Sequence, residues 1–115
     1  MYLDHAATTP LRHEAYAAVT SELTVVGNPS SLHAAGRRAR KAVEDARDRV
    51  AAALGVAALD VLFTSGGTEA DNLALKGAAW AGKARGHRIV TSPIEHHAVG
   101  HTLRYLEKFG FEVVE

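Results

Sequence analysis

No cysteine occurs among the 115 residues, and there are only three prolines, one methionine and one tryptophan. The missing cysteine excludes disulfides, a CxxC redox pair, thiolate zinc ligands and a thiol nucleophile within this chain. Net charge is missing as well, because 13 lysines and arginines balance 13 aspartates and glutamates. That balance argues against a strongly electrostatic nucleic-acid or membrane binder. No apolar run approaches the roughly 18 residues that a membrane helix needs. The opening, MYLDHAATTP, has neither the early positive charge nor the apolar core of a secretory signal, so the expected location is cytoplasmic. Large apolar side chains are scarce too. The hydrophobic share is 47%, but 22 of those residues are alanine, which leaves material for one modest core.

What is present alternates in a regular way. Tyr2 to His5 reads as a short extended piece, and Thr9 with Pro10 reads as a helix start, Thr9 as cap and Pro10 at the first helical position. Leu11, Ala15, Val19 and Leu23 form the apolar stripe of that helix. GNPSS, residues 27–31, favours irregular backbone, after which Ser30 or Ser31 is expected to cap a long helix ending at Gly55. Its apolar face runs through Ala39, Ala42, Val43, Ala46, Val50, Ala53 and Leu54, and its charges are of both signs, which suits a solvated face. Val61 to Phe63 suits a buried strand. A helix follows with the body ADNLALKGAAWAGKA, residues 70–84, ended by Gly82 and Gly86, and with Ala70, Leu73, Ala74, Gly77, Ala78 and Trp80 as a small-residue face for a sheet. Arg88 to Ser92 is a second strand, about Glu95 to Phe109 a further helix with Val99, Leu103 and Leu106 inward, Gly110 its C-cap, and FEVVE the opening of a third strand. This order, βαβαβ, predicts an α/β fold with a parallel sheet and helices on both faces. Because the last strand has nothing after it, the expected domain is unfinished, the N-terminal portion of a longer polypeptide or half of an obligate assembly.

Chemistry concentrates in two places. In LFTSGGTEADN, residues 62–72, a strand runs through a Gly-Gly turn into a helix start, where free N–H groups and the helix dipole favour an anion. Gly66 and Gly67 admit an oxyanion without a Cβ in the way, and Thr68 adds a hydroxyl. The same residues can equally just turn the chain, with Thr68 and Asp71 as a capping pair. Neither a GxGxxG fingerprint nor a Gly-Lys-Ser/Thr loop is present. In SPIEHHAVGHT, residues 92–102, Glu95, His96, His97 and His101 gather at a strand end and the following helix start. That is the ligand-binding edge of an open α/β sheet, so this cluster should neighbour Gly66 and Gly67. His96 can stack on an aromatic ligand or shuttle protons. His97 and His101, four apart, lack a third ligand and an HExxH frame, so they read as surface histidines and no metal is expected. A third candidate is Asp4 with His5, which can reach a substrate or tie down the terminus.

The order YLDHAATTP, GNPSSLHAAGRRAR, FTSGGTEADNLALKG, SPIEHHAV and FGFEV resembles the N-terminal part of the cysteine desulfurases, pyridoxal-phosphate enzymes of the class V aminotransferase group. The resemblance implies the N-terminal part of a PLP-transferase type I fold, with about 1–30 as N-terminal arm and first helix and about 31–115 as long helix and start of the large cofactor-binding domain. It implies that Gly67 and Thr68 bind the phosphate of pyridoxal 5'-phosphate, and that His96 stacks on the pyridine ring and takes part in proton movement. It further implies a homodimer, L-cysteine as substrate, L-alanine and an enzyme persulfide as products, and a sulfur-acceptor or iron–sulfur scaffold protein as partner. The family's cofactor-bearing lysine, its aspartate to the ring nitrogen, its substrate-binding arginine and its persulfide cysteine have no counterpart here. Lys41, Lys76, Lys83 and Lys108 lie on helices outside any matching motif, so this chain is expected to be inactive alone. The alternatives are another class V enzyme such as a selenocysteine lyase, or a non-catalytic phosphate-binding fragment.

Overall fold

The computed structural model describes all 115 residues, which form two compact units, Met1–Val61 and Leu62–Glu115. In the first unit, α1 spans His13–Leu23 and α2 spans Ala34–Leu54, followed by a single 3-10 turn, Ala58–Asp60. In the second, α3 spans Gly67–Gly82, β1 Arg88–Val90, α4 His97–Glu107 and β2 Glu112–Val114. None of these helices is long and apolar enough to cross a membrane.

Helix α1 starts later than Thr9 and Pro10 predict. Arg12 is its cap, in extended conformation, and Thr9 caps nothing. The physical reason is the lack of a packing surface: α1 buries no side chain, and Leu11, Val19 and Leu23 are exposed, so nothing holds an extra turn. Helix α2 also starts later than its serines suggest. The Asn28 side chain accepts from the amide of Ser30 (2.9 Å) and the Asn28 carbonyl from that of Ser31 (2.9 Å), so both serines are spent on a turn. His33 is the cap instead, its Nδ1 accepting from the Gly36 amide at 3.3 Å. Gly36 is buried beneath that turn, where a Cβ would fall 2.3 Å from the Ser31 carbonyl oxygen. Only glycine fits there. On the expected apolar face, Ala39, Ala42 and Val43 are half-buried but Ala46, Val50, Ala53 and Leu54 are exposed, while Ala51 is buried.

The second unit carries the tightest packing. Leu103, Leu106 and Phe111 form its core, with Ala79, Ile89, Val99 and Val113 packed around them. Strands β1 and β2 pair in parallel, Arg88 opposite Glu112 and Val90 opposite Val114. Val61 to Phe63 is extended but pairs with no strand, because β1 and β2 are the whole sheet. Helix α4 ends in a Schellman turn: the Phe111 amide reaches the Leu106 carbonyl, the Gly110 amide reaches that of Glu107, and Gly110 takes a φ of 85°. The same device ends α2, with Gly55 at φ 69°.

The face that α3 turns toward α4 differs from the expected one. Asn72, Leu75, Lys76 and Ala79 are half-buried, whereas Ala70, Leu73, Ala74, Gly77, Ala78 and Trp80 are exposed. Helix α4 offers polar groups at one end of this contact and leucines at the other, so a mixed polar and apolar stripe of α3 matches it better than the small-residue stripe. Leu106 is 0% exposed. Leu106→Ala is expected to destabilise the second unit by about 2–5 kcal/mol, read as a lowered midpoint in urea unfolding of the protein.

Candidate functional site

Parallel pairing of β1 and β2 requires α4 to run back against them, which sets its N-terminus at the carboxyl edge of the sheet. Helix α3 lies alongside in the same direction. Thr68 near its start shares a cavity with His96 at the start of α4, and Lys76 two turns on stands over the Tyr105 ring, 4.6 Å from its centroid. The cavity between the helices measures about 350 Å³. Thr68, Asn72 and Lys76 line it from α3, and His96, His101, Thr102 and Tyr105 from α4.

The start of α3 is open. Gly66 is its cap and offers no side chain, and the amides of Gly67, Thr68 and Glu69 make no hydrogen bond within the chain. A Cβ at Gly66 or Gly67 would meet nothing within 4 Å, so no neighbouring group crowds these two positions. The alternative of a Thr68–Asp71 capping pair is not realised. Glu69 takes that role by reaching back: its carboxylate accepts from the Ser65 amide and from the Ser65 hydroxyl, both at 2.6 Å. These two bonds, the hydroxyl's first, hold the Glu69 carboxyl below the ordinary range for a glutamate. One amide of the turn is thereby used internally, and three remain for an anion. Asn72 steadies the turn from below, donating from its side chain to the Thr68 carbonyl at 2.9 Å.

His96 is both a helix cap and a cavity wall. Its Nδ1 accepts from the Ala98 amide at 3.1 Å. A ring nitrogen that accepts from a backbone amide carries no proton, so the neutral ring holds its proton on Nε2. The ring is thus fixed in orientation and tautomer by the helix it starts. His97 and His101 lie on the exposed surface of α4, stacked at 5.8 Å between ring centroids, and no group of three ligands of metal-binding type surrounds them. Asp4 and His5 belong to the first unit. There the Tyr2 hydroxyl and the amides of Ala7 and Thr8 donate to the Asp4 carbonyl, and the Tyr2 ring meets the His5 ring edge-on at 5.2 Å.

Several site residues escaped the sequence reading: Ser65 and Glu69, which shape the turn, and Asn72, Lys76, Thr102 and Tyr105, which line the cavity. A signal for part of this was available, since Thr68, Asn72 and Lys76 recur every four residues and share one helix face. Because Ser65 lowers the Glu69 pKa, the pair contributes stability above the unfolded-state pKa and loses it as pH falls through the lower, folded value. Ser65→Ala is expected to move the Glu69 titration midpoint upward, measured by carboxyl NMR across the acid range.

Comparison with known proteins places these features in a family. All of residues 1–115 match the aminotransferase class-V family. The chain is 51% identical over 114 residues to the cysteine desulfurase IscS of Dictyoglomus turgidum, covering 98% of this chain and 29% of that protein. It is 48% identical to the cysteine desulfurase IscS of Methanosarcina thermophila, covering 98% of this chain and 28% of that one. Among solved structures, a NifS-like protein superposes with a TM-score of 0.86 at 39% identity, covering 97% of this chain and 31% of that one. SspA in complex with cysteine gives 0.84 at 34%, covering 98% and 33%. The chain therefore spans about 30% of the length of the curated relatives it matches. Matched along its whole length and carrying the N-terminal part of the NifS-like fold, it belongs to the class-V aminotransferase family.

Proposed function

We propose that this chain supplies the phosphate cradle and ring-stacking wall of a pyridoxal-phosphate-dependent cysteine desulfurase. The observation that carries the reading is the single cavity that joins Thr68, at an open helix start, to His96, a flat ring of fixed orientation. The residues suit the group. Three unbonded amides and the Thr68 hydroxyl match the oxygens of a phosphate, the α3 dipole adds partial positive charge, and no carboxylate lines the cavity. Gly67 and Thr68 would hold the phosphate, and His96 would lie against the pyridine ring. When bound, pyridoxal 5'-phosphate supplies an electron sink for bond cleavage at an amino acid.

The chain's own contribution is binding and orientation. The Ala98 amide holds Nδ1 of His96, which anchors the ring at the cavity wall and leaves Nε2 as the atom that can give or take a proton. Protonating Nδ1 would cost the α4 cap, which restricts proton traffic to Nε2. Relatives named as cysteine desulfurases at about half identity support L-cysteine as the substrate, with L-alanine and an enzyme persulfide as products. The structure of SspA with cysteine supports the same substrate class. No cysteine and no lysine in a matching motif occur among these 115 residues, so sulfur removal needs further groups. In the complete enzyme we infer a homodimer in the cytoplasm that hands sulfur to an acceptor or iron–sulfur scaffold protein. Taken alone, the donors present favour phosphate binding without covalent chemistry as a second reading.

Titration with pyridoxal 5'-phosphate, followed by absorbance and by backbone amide NMR, tests the assignment. Thr68→Val deletes one hydrogen bond to a charged acceptor and is expected to weaken cofactor binding by roughly 1.5–3 kcal/mol. Unchanged affinity would remove Thr68 from the cradle. In the enzyme assembled with its remaining parts, His96→Ala is expected to slow sulfide release while circular dichroism stays unchanged; full turnover by that variant would refute the stacking role.

A further inference from the structure

The cavity between α3 and α4 is longer than a cradle at the helix start requires. From Thr68 to Lys76 is eight residues, roughly 12 Å along the axis. At its far end stand three features that the cradle does not use. Lys76 is half-buried and pairs with no carboxylate, its ammonium resting over the Tyr105 ring at 4.6 Å. Thr102 is 2% exposed, and its Oγ1 has no hydrogen-bond partner, although a helical threonine ordinarily bonds a carbonyl of the preceding turn. His101 stands beside it on the cavity wall. A sealed hydroxyl without a partner is costly, and the ammonium beside it has no counter-ion, so an anionic hydrogen-bond acceptor answers both groups.

We propose that this end of the groove is a second oxyanion site, for a group of phosphate or sulfate size, held by Lys76, Thr102 and His101. Lys76 supplies the charge, the Thr102 hydroxyl donates from the floor, and the His101 imidazole donates from the wall. The absence of any aspartate or glutamate from the lining removes the repulsion that an anion would otherwise meet. Tyr105 keeps the ammonium over its ring and so restricts the swing of the lysine. The site does not depend on what occupies Gly67 and Thr68, because its three groups lie one to two turns further along the helices.

The test is a titration of the intact protein with sodium sulfate, and separately with inorganic phosphate, at constant ionic strength held with chloride. Backbone amide NMR is recorded with and without saturating pyridoxal 5'-phosphate. Sulfate is expected to shift the amides around Lys76, His101 and Thr102 in a saturable way, and to do so still when the cofactor has claimed Gly67 and Thr68. Lys76→Met is expected to weaken the groove response about tenfold and Lys76→Arg to keep most of it. Thr102→Val is expected to weaken it several-fold. His101→Ala, at an exposed position, provides a variant whose folding is not at issue and should also weaken it. Loss of the groove response when the cofactor is added, or an unchanged response in both Lys76→Met and His101→Ala, would overturn the proposal. Failure of the cofactor to move Gly67 and Thr68, with sulfate binding intact at Lys76, would instead count against the cradle and leave the second site standing.

Discussion

Burial of Leu106 between α4, β1 and β2 is the contact on which the placement of the site rests. With Leu103 and Phe111 it pins the C-terminal part of α4 to the sheet, and Ala79 of α3 packs against the same cluster. With the helices held side by side at that end, the crossing angle of this structure keeps their other ends adjacent as well, and those ends carry Thr68 and His96. A small apolar cluster thereby fixes a polar cavity that runs along the same two helices. The arrangement is economical in residues because the chain has so few large apolar side chains to spend.

Much of the second unit was legible in the sequence. Leu103 and Leu106 at helical spacing, Gly110 after them and a β-branched run at the end gave α4, its stop and β2 with little ambiguity. The first unit was less legible, and for a definite reason. Thr9, Ser30 and Ser31 are good caps by type, but cap identity is decided by which turn the surrounding chain can support. Asn28 draws both serines into its own turn, and α1 has no surface to extend against. Val61 to Phe63 has the composition of a strand, yet composition says nothing about whether a neighbouring strand is there to pair with it.

At the site, residue types were easier to read than their partners. Gly67, Thr68 and His96 stand out because a helix start with glycines leaves amides free and a histidine at a strand end sits at the ligand-binding edge of a parallel sheet, although each also has a structural use, His96 as the cap of α4. That Glu69 would fold back onto Ser65, or that Lys76 would come to lie beside Tyr105, depends on side-chain rotamers and on the angle between α3 and α4. The alanine-rich stripe of α3 misled for a related reason. Small residues permit close approach without demanding it, so the pattern marked a face that this structure leaves open and passed over the Asn72–Lys76 face that meets α4.

The left-handed glycine after α4 also governs strand register. Since the Phe111 amide is fastened to Leu106, the count of residues from helix to ladder is locked, and Val113 falls inward while Val114 falls outward. Strand side chains alternate between faces with every residue, so adding or removing a single position between Glu107 and Glu112 would exchange the two valines and set a glutamate against the leucines. This hairpin-tight spacing therefore makes length, more than composition, the property of that turn that evolution or an engineer would be least free to change.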